Sequence, residues 1–463
     1  MNRMLLAMLL MVIALLVLAC DDATEMDAGE APDLQADERT DARTEAGLDI
    51  LGEDMLAMIE AINPQVIEWR RHFHEFPELS NREFETAAKI AEHLNALGME
   101  VQTGVAHTGV VGILRGERDG PVVGLRADMD ALPVPSRVDL PFSPSVTGEF
   151  NGEEVPVSHA CGHDAHMAIL MGVAEVMAAH REQIPGTVKF IFQPAEEGPP
   201  EGEEGGAELM VKEGVLKNPD VDAVFALHII STQELGTVEI REGGMWASVD
   251  DFRITVKGKQ SHGAYPWQSV DPIVTSAQII NSLQTVVSRN HNVVEHPAVV
   301  TIGRIRGGVR SNIIPEEVEM IGTIRALDPE ARLVIKERVR TIATKTAESM
   351  GATAEVEIPM SIHYPVTMND PGLTRAMRPV LESVIGAENV REALPVTGAE
   401  DFSFFSREVP GLYLRLGGRP ANVSREEAPD HHTPEFHIDD SRLDVGVRVM
   451  TAMALAYLRG EES

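Results

Sequence analysis

Between Asp251 and Ile358 the apolar pattern reads strand, helix, strand, strand, helix, strand, and this one unit dictates how the rest of the chain is organised. Asp251 to Lys257, Ala298 to Ile305, Glu317 to Arg325 and Ala352 to Ile358 carry the strand period, and Asp271 to Val287 and Pro329 to Met350 carry the helical one. A β-α-β-β-α-β unit of about a hundred residues closes its own core as a ferredoxin-like fold. On either side of it, strands and helices alternate as in an α/β domain with a mostly parallel sheet. Val110 to Arg115, Val122 to Arg126, Val188 to Gln193, Ala223 to His228 and Gly411 to Leu416 read as strands. Ile67 to Phe76, Glu83 to Leu97, Asp164 to Ala179 and Ser441 to Leu458 read as helices. At 463 residues the chain exceeds one compact core. The predicted arrangement is an α/β domain formed by residues 55–247 and 360–463, with the ferredoxin-like unit, 248–359, inserted.

The first residues differ in kind. Arg3 precedes an apolar run from Met4 to Ala19, short for a membrane span, that closes on Leu16-Val17-Leu18-Ala19-Cys20. This resembles a bacterial lipoprotein signal, which implies removal of residues 1–19 and a lipid on Cys20. An uncleaved signal anchor is the alternative. Both readings place the protein in the bacterial cell envelope, with the inner or outer membrane left open. Asp21 to Asp54 then holds thirteen Asp or Glu against Arg39 and Arg43, so residues 20–54 are expected to form an acidic, disordered tether, with Leu48 to Ile62 as the candidate start of the first helix. The formal charge of −34 argues against nucleic acid and anionic lipid surfaces as partners, leaving the N-terminal lipid as the membrane contact.

Ligands of open parallel sheets collect beyond the carboxyl ends of the strands, and polar residues gather there repeatedly in this chain. Asp128 and Asp130 follow one strand, Glu196 and Glu197 a second, and His228 closes a third. Cys161 and His163 belong to a glycine-containing loop before a helix, where residues two apart can meet on one ion. The only other cysteine is Cys20, so Cys161 is a thiol without a disulfide partner. A mixed set of thiolate, imidazole and carboxylate suits zinc, and also manganese, cobalt or nickel.

The motifs in order resemble the M20 metallopeptidases, in particular the amidohydrolase branch that acts on N-acyl amino acids, hippurate and auxin conjugates. They are Arg70-Arg71-His72-Phe73-His74, Arg126-Ala127-Asp128-Met129-Asp130, His159 to Asp164, Gln193-Pro194-Ala195-Glu196-Glu197-Gly198 and Ala226-Leu227-His228. Ser261-His262-Gly263-Ala264, Ser311-Asn312-Ile313-Ile314-Pro315, Gly398-Ala399-Glu400-Asp401-Phe402 and His432-Thr433-Pro434-Glu435-Phe436 complete the series. The resemblance implies a phosphorylase/hydrolase-like α/β catalytic domain and an inserted domain that forms a homodimer. It also implies two divalent ions held by Cys161, His163, Glu197, His228 and His432, with Glu196 free as general base. Asp130 would orient a ligand, and His262 would reach the partner subunit's cleft to stabilise an oxyanion. Asn312 and Arg325 would receive the substrate carboxylate. His72, His74, His159, His166 and His431 are expected to be hydrogen-bonded structural residues. Where relatives carry a second histidine this chain has Trp267, so the acyl preference does not transfer.

These readings converge on a metal-dependent amidohydrolase that cleaves an N-acyl amino acid or small peptide-like amide. A carboxypeptidase or dipeptidase of the same family is the alternative, and a non-catalytic envelope peptide-binding lipoprotein the distant one.

Overall fold

In the computed structural model, residues 39–460 are described, with side chains from Ile50 onward. The chain forms two units, Met1–Arg43 and Thr44–Ser463. Of the first, only the start of a helix at Arg39 lies within the described residues; the expected signal and Cys20 lie outside them.

That helix, α1 (Arg39–Glu75), corrects the expected tether, because residues 39–54 are helical. Beyond Gly52, Met55, Ile59, Ile62 and Val66 are buried in the core at the spacing of one helical face, and Leu51 is buried just before it. The helix breaks at Gly52, whose φ of 70° and ψ of 158° suit a residue without a Cβ.

The central sheet has eight strands: β1 (Glu100–Val105), β2 (Gly109–Arg115), β3 (Arg118–Asp128), β4 (Pro185–Gln193), β5 (Ala223–Glu234), β6 (Val238–Ile240), β7 (Val390–Glu392) and β8 (Gly411–Arg419). Their order is β1-β2-β4-β3-β5-β8-β6-β7. The four middle strands, β4, β3, β5 and β8, run parallel, while β1 and β2 add antiparallel strands at one edge. Both faces are covered, as a parallel sheet requires. Phe190, Phe192, Phe225, Leu412 and Leu414 face one core, together with helices α2 (Phe84–Ala96), α3 (His163–Ala179) and α4 (Leu443–Arg459). Ile191, Val224, Ala226, Phe402 and Tyr413 face the other. Each buried Phe contributes about 1.5–3 kcal/mol relative to exposure.

The second sheet holds Ser248–Lys257, Ala298–Gly307, Glu317–Ala326 and Thr353–Glu357. Numbered one to four along the chain, the strands lie in the order 4-1-3-2, every pairing antiparallel, as in a ferredoxin-like unit. Helices Pro272–Asn290 and Pro329–Ser349 pack on one face around Phe252, Ile254, Ile279, Leu283, Ile335 and Val339. Tyr364, from the short strand His363–Tyr364 added to this sheet, donates a hydrogen bond to the Glu196 carbonyl at 3.0 Å, so the two sheets meet at the strand ends.

Candidate metal centre

Cys161 lies at the focus of the polar residues expected from the sequence. Its Sγ is 3.4 Å from His228 Nε2 and 3.3 Å from His432 Nε2, and His432 Nε2 is 3.0 Å from Glu197 Oε1. The donor atoms of Cys161, His163 and His228 lie within 4.8 Å of one another, as do those of Cys161, Glu197 and His432. Two donor sets that could hold a cation thus share this thiol, and others join Asp128, His163 and His166, and His163, Glu196 and Glu197. His163 donates from Nδ1 to the Asp130 carbonyl at 2.8 Å, and His228 donates from Nδ1 to the Ile229 carbonyl at 2.7 Å. Each bond fixes the tautomer that leaves the Nε2 lone pair free, the usual arrangement of a ligating imidazole. His163 Nε2 is buried without a hydrogen bond, an unmet demand that a cation fits.

The local backbone is unusual where these residues converge. Gly162, between two of them, has φ of 97°, Ala195 before the paired glutamates 52°, and His432 62°. Left-handed conformations at non-glycine residues are costly and concentrate at functional sites. The positive φ at Ala195 turns the chain so that Glu196 N and Glu197 N both donate to the Asp130 carboxylate, at 3.0 and 3.1 Å. Ser80 also donates to it at 2.8 Å. Asp130 thus holds His163 through its carbonyl and both glutamates through its side chain.

Burial pushes the Cys161 thiol well above its usual range, with Glu197, Glu196 and Asp128 adding to the shift. Burial acts downward on His163, yet Asp128 and Asp130 raise it to about 10. Burial and neighbouring histidines hold His228 well below the imidazole range. The Glu196 carboxyl is pushed well above the carboxylate range by burial and then by Glu400, Glu197 and Asp401. Glu196 Oε2 is 3.8 Å from His163 Nε2. This carboxyl borders the cluster, the position a general base requires.

His166 and His431 are the near rivals for metal, and both ring nitrogens of each are engaged in hydrogen bonds. His166 donates to Asp128 Oδ1 at 2.6 Å and accepts from Ile229 N at 2.8 Å. His431 donates to the Cys161 carbonyl at 3.2 Å and accepts from Ser231 N at 3.2 Å. His74 is bound to Asp164, which also pairs with buried Arg70 at 2.9 Å. His159 departs from the expected hydrogen-bonded role: it is buried with both nitrogens lacking a hydrogen bond, and burial lowers it to about 3.

Three expected residues stand apart. His262 and Asn312 are exposed and adjacent, joined by Gly263 N to the Asn312 carbonyl at 2.8 Å. Arg325 lies half-buried on Glu317–Ala326, where burial lowers it against the opposing charge of Asp251. Among the described residues none of the three makes a hydrogen bond or ion pair with the cluster around Cys161.

The sequence reading gave no role to a buried charge network beneath the site. Arg126 pairs with Asp128 at 2.7 Å, Glu400 at 3.0 Å and Asp401 at 3.1 Å, and Tyr413 donates to Glu400 at 2.8 Å. Gln193 Nε2 donates to both oxygens of Asp401. The signal was present as motif residues at Arg126 and Glu400-Asp401, but their pairing is a tertiary fact.

The sequence profile of Peptidase family M20/M25/M40 matches residues 124–456. Thermostable carboxypeptidase 1 of Saccharolobus solfataricus is 40% identical over 400 residues, covering 86% of this chain and 97% of that protein. N-acetylcysteine deacetylase of Bacillus subtilis is 37% identical over 400 residues, covering 86% and 98%. The solved structure of Bacillus subtilis YXEP, a dinuclear metal-binding peptidase of the M20 family, is 33% identical with a TM-score of 0.72, over 86% of this chain and 99% of its own.

Proposed function

The chain belongs to peptidase family M20/M25/M40 and is a metal-dependent hydrolase, and from that premise we propose that it cleaves N-acyl amino acids or related small amides with a pair of divalent ions. The observation that carries this reading is the meeting of Cys161, His163, Glu197, His228 and His432, with the carboxyl of Glu196 at their border. The five would hold the ions; zinc and manganese suit the donor set, as do cobalt and nickel. When bound, such ions acidify water and polarise a carbonyl. Glu196 accepts the proton of the attacking water and returns it to the leaving nitrogen, so that amide and water become carboxylate and amine. Asp130 fixes the backbone of both glutamates by accepting from their amides.

His262 belongs to this reading as the oxyanion donor supplied across a homodimer, with Asn312 and Arg325 as carboxylate contacts. A lipid on Cys20 and a place in the bacterial cell envelope complete it.

Glu196→Gln tests the proposal in the full-length protein. Hydrolysis of N-acetyl and N-benzoyl amino acids should fall by about 10²–10⁴-fold while elemental analysis returns the wild-type metal content. Retained turnover, or lost metal, would overturn the assignment. The 40% identity to a carboxypeptidase favours a second reading, in which the pocket prefers peptides. A panel setting dipeptides against N-acyl amino acids separates the two by their kcat/KM.

A further inference from the structure

Arg415 is paired in register with His228 on the neighbouring parallel strand, so the two side chains leave the sheet on the same face. The Arg415 guanidinium stacks over Trp246, with its carbon 5.1 Å from the ring centroid, and the Trp246 ring lies 6.4 Å from the ring of His228. Its side chain is only 9% exposed, and its Nη2 has no hydrogen-bond partner. The nearest carboxylate, Glu239, stands 3.6 Å from the other terminal nitrogen.

This guanidinium lines a cavity of about 320 Å3 that also reaches His431, which touches Cys161. Arg391, Arg419 and Arg425 line the same cavity, against Glu234 and Glu239. Four cations to two anions is the reverse of a chain whose formal charge is −34. Arg391 is engaged by Glu234 at 2.7 Å, whereas Arg425 is exposed and makes no hydrogen bond or ion pair among the described residues. Burial and the neighbouring Arg241 and Arg425 work against the charge on Arg415, so an anion in the cavity would be stabilised there.

We propose that this cavity is a carboxylate subsite of the centre distinct from Asn312 and Arg325: Arg415, with Arg425 at the rim, receives a carboxylate of the substrate's amino-acid part, the side-chain one where the α-carboxylate lies against Asn312 and Arg325. A planar guanidinium fork with a free donor suits that group. The proposal rests on the amidohydrolase reading only in calling the bound carboxylate part of a substrate.

The test uses the metal-loaded full chain, the variants Arg415→Met and Arg425→Gln, and two readouts. In calorimetry, glutarate should bind the wild type, bind Arg425→Gln several-fold more weakly and Arg415→Met at least ten-fold more weakly; glutaramide should bind none of them. In kinetics, Arg415→Met should raise KM at least ten-fold for the acid of one matched pair and leave its amide unchanged. Sensitivity in N-acetyl-glutamate against N-acetyl-glutamine places the side-chain carboxylate in the cavity. Sensitivity in N-acetyl-leucine against N-acetyl-leucinamide places the α-carboxylate there. Equal effects on acid and amide in both pairs, or glutarate binding indifferent to both substitutions, would overturn the proposal. Should Arg415→Met fail to fold, the exposed Arg425→Gln carries the same comparison. A protein inert to every amide that still binds glutarate through Arg415 would sink the amidohydrolase reading and leave the subsite standing.

Discussion

Asp130 shows how one side chain sets the positions of several others. Replacing it by alanine leaves its carbonyl on His163 but releases the amides of Glu196 and Glu197. Asp130→Ala is therefore expected to weaken metal binding by about 10–100-fold, measured by chelator competition, with the loss arising through Glu197. Asp164 serves stability. Burial acts against its charge, yet Arg70 and His74 hold its carboxyl well below the usual carboxylate range. A depressed folded value means the stabilisation is present above the unfolded carboxyl value, near 3.9, and is lost as pH falls towards the folded one. Asp164→Asn strands Arg70 in the core and should cost about 3–5 kcal/mol at pH 7. Urea titrations should show the gap between wild type and variant shrinking below about pH 4. At this scale the sequence exposed the ligand candidates, since thiol, imidazole and paired glutamates are rare neighbours. It could not choose between His431 and His432 by chemistry, because the choice depends on Ser231 N and the Cys161 carbonyl, both supplied by the fold.

Three helices begin with Asp-Pro, and each aspartate caps its helix: Asp271 accepts from Ile273 N and Val274 N, Asp328 from Ala331 N, and Asp370 from Leu373 N. Proline in the first turn lacks only a donor that would have gone unused. Asp328→Ala should lower stability by about 1 kcal/mol, read as a lower thermal midpoint, without altering kcat/KM. Such local signals are why the helices of the ferredoxin-like unit were legible nearly to their ends. The strands of the parallel core were equally plain, being apolar on both faces. The edge strand β1 was missed because its residues are mostly exposed and carry no apolar alternation. Strands β6 and β7 span three residues each, too few for a period to register. The start of α1 was misjudged because its first turns lie in an acidic stretch whose composition alone reads as unfolded.

For the whole molecule, the proposed sharing of sites between subunits has its own signature. Glu196→Gln and His262→Ala should each be inactive alone. Mixed and allowed to exchange, they should regain about a quarter of wild-type activity, because half the dimers are hybrids with one complete site; no recovery would place His262 in its own subunit's site or outside catalysis. The two-part architecture was readable because the change from parallel α/β rhythm to β-α-β-β-α-β is written in strand and helix order. How Arg126 binds residues nearly three hundred positions away was not, since it depends on β3 and β8 flanking β5 in the sheet. The central claim is that five side chains gather a pair of ions while Glu196 stays free. Anomalous diffraction from metal-loaded crystals tests it most directly. Two peaks about 3.5–4 Å apart, within bonding distance of Cys161, His163, Glu197, His228 and His432 and not of Glu196, are predicted. A single peak held by Asp128, His163 and His166, or a peak bonded to Glu196, would contradict it.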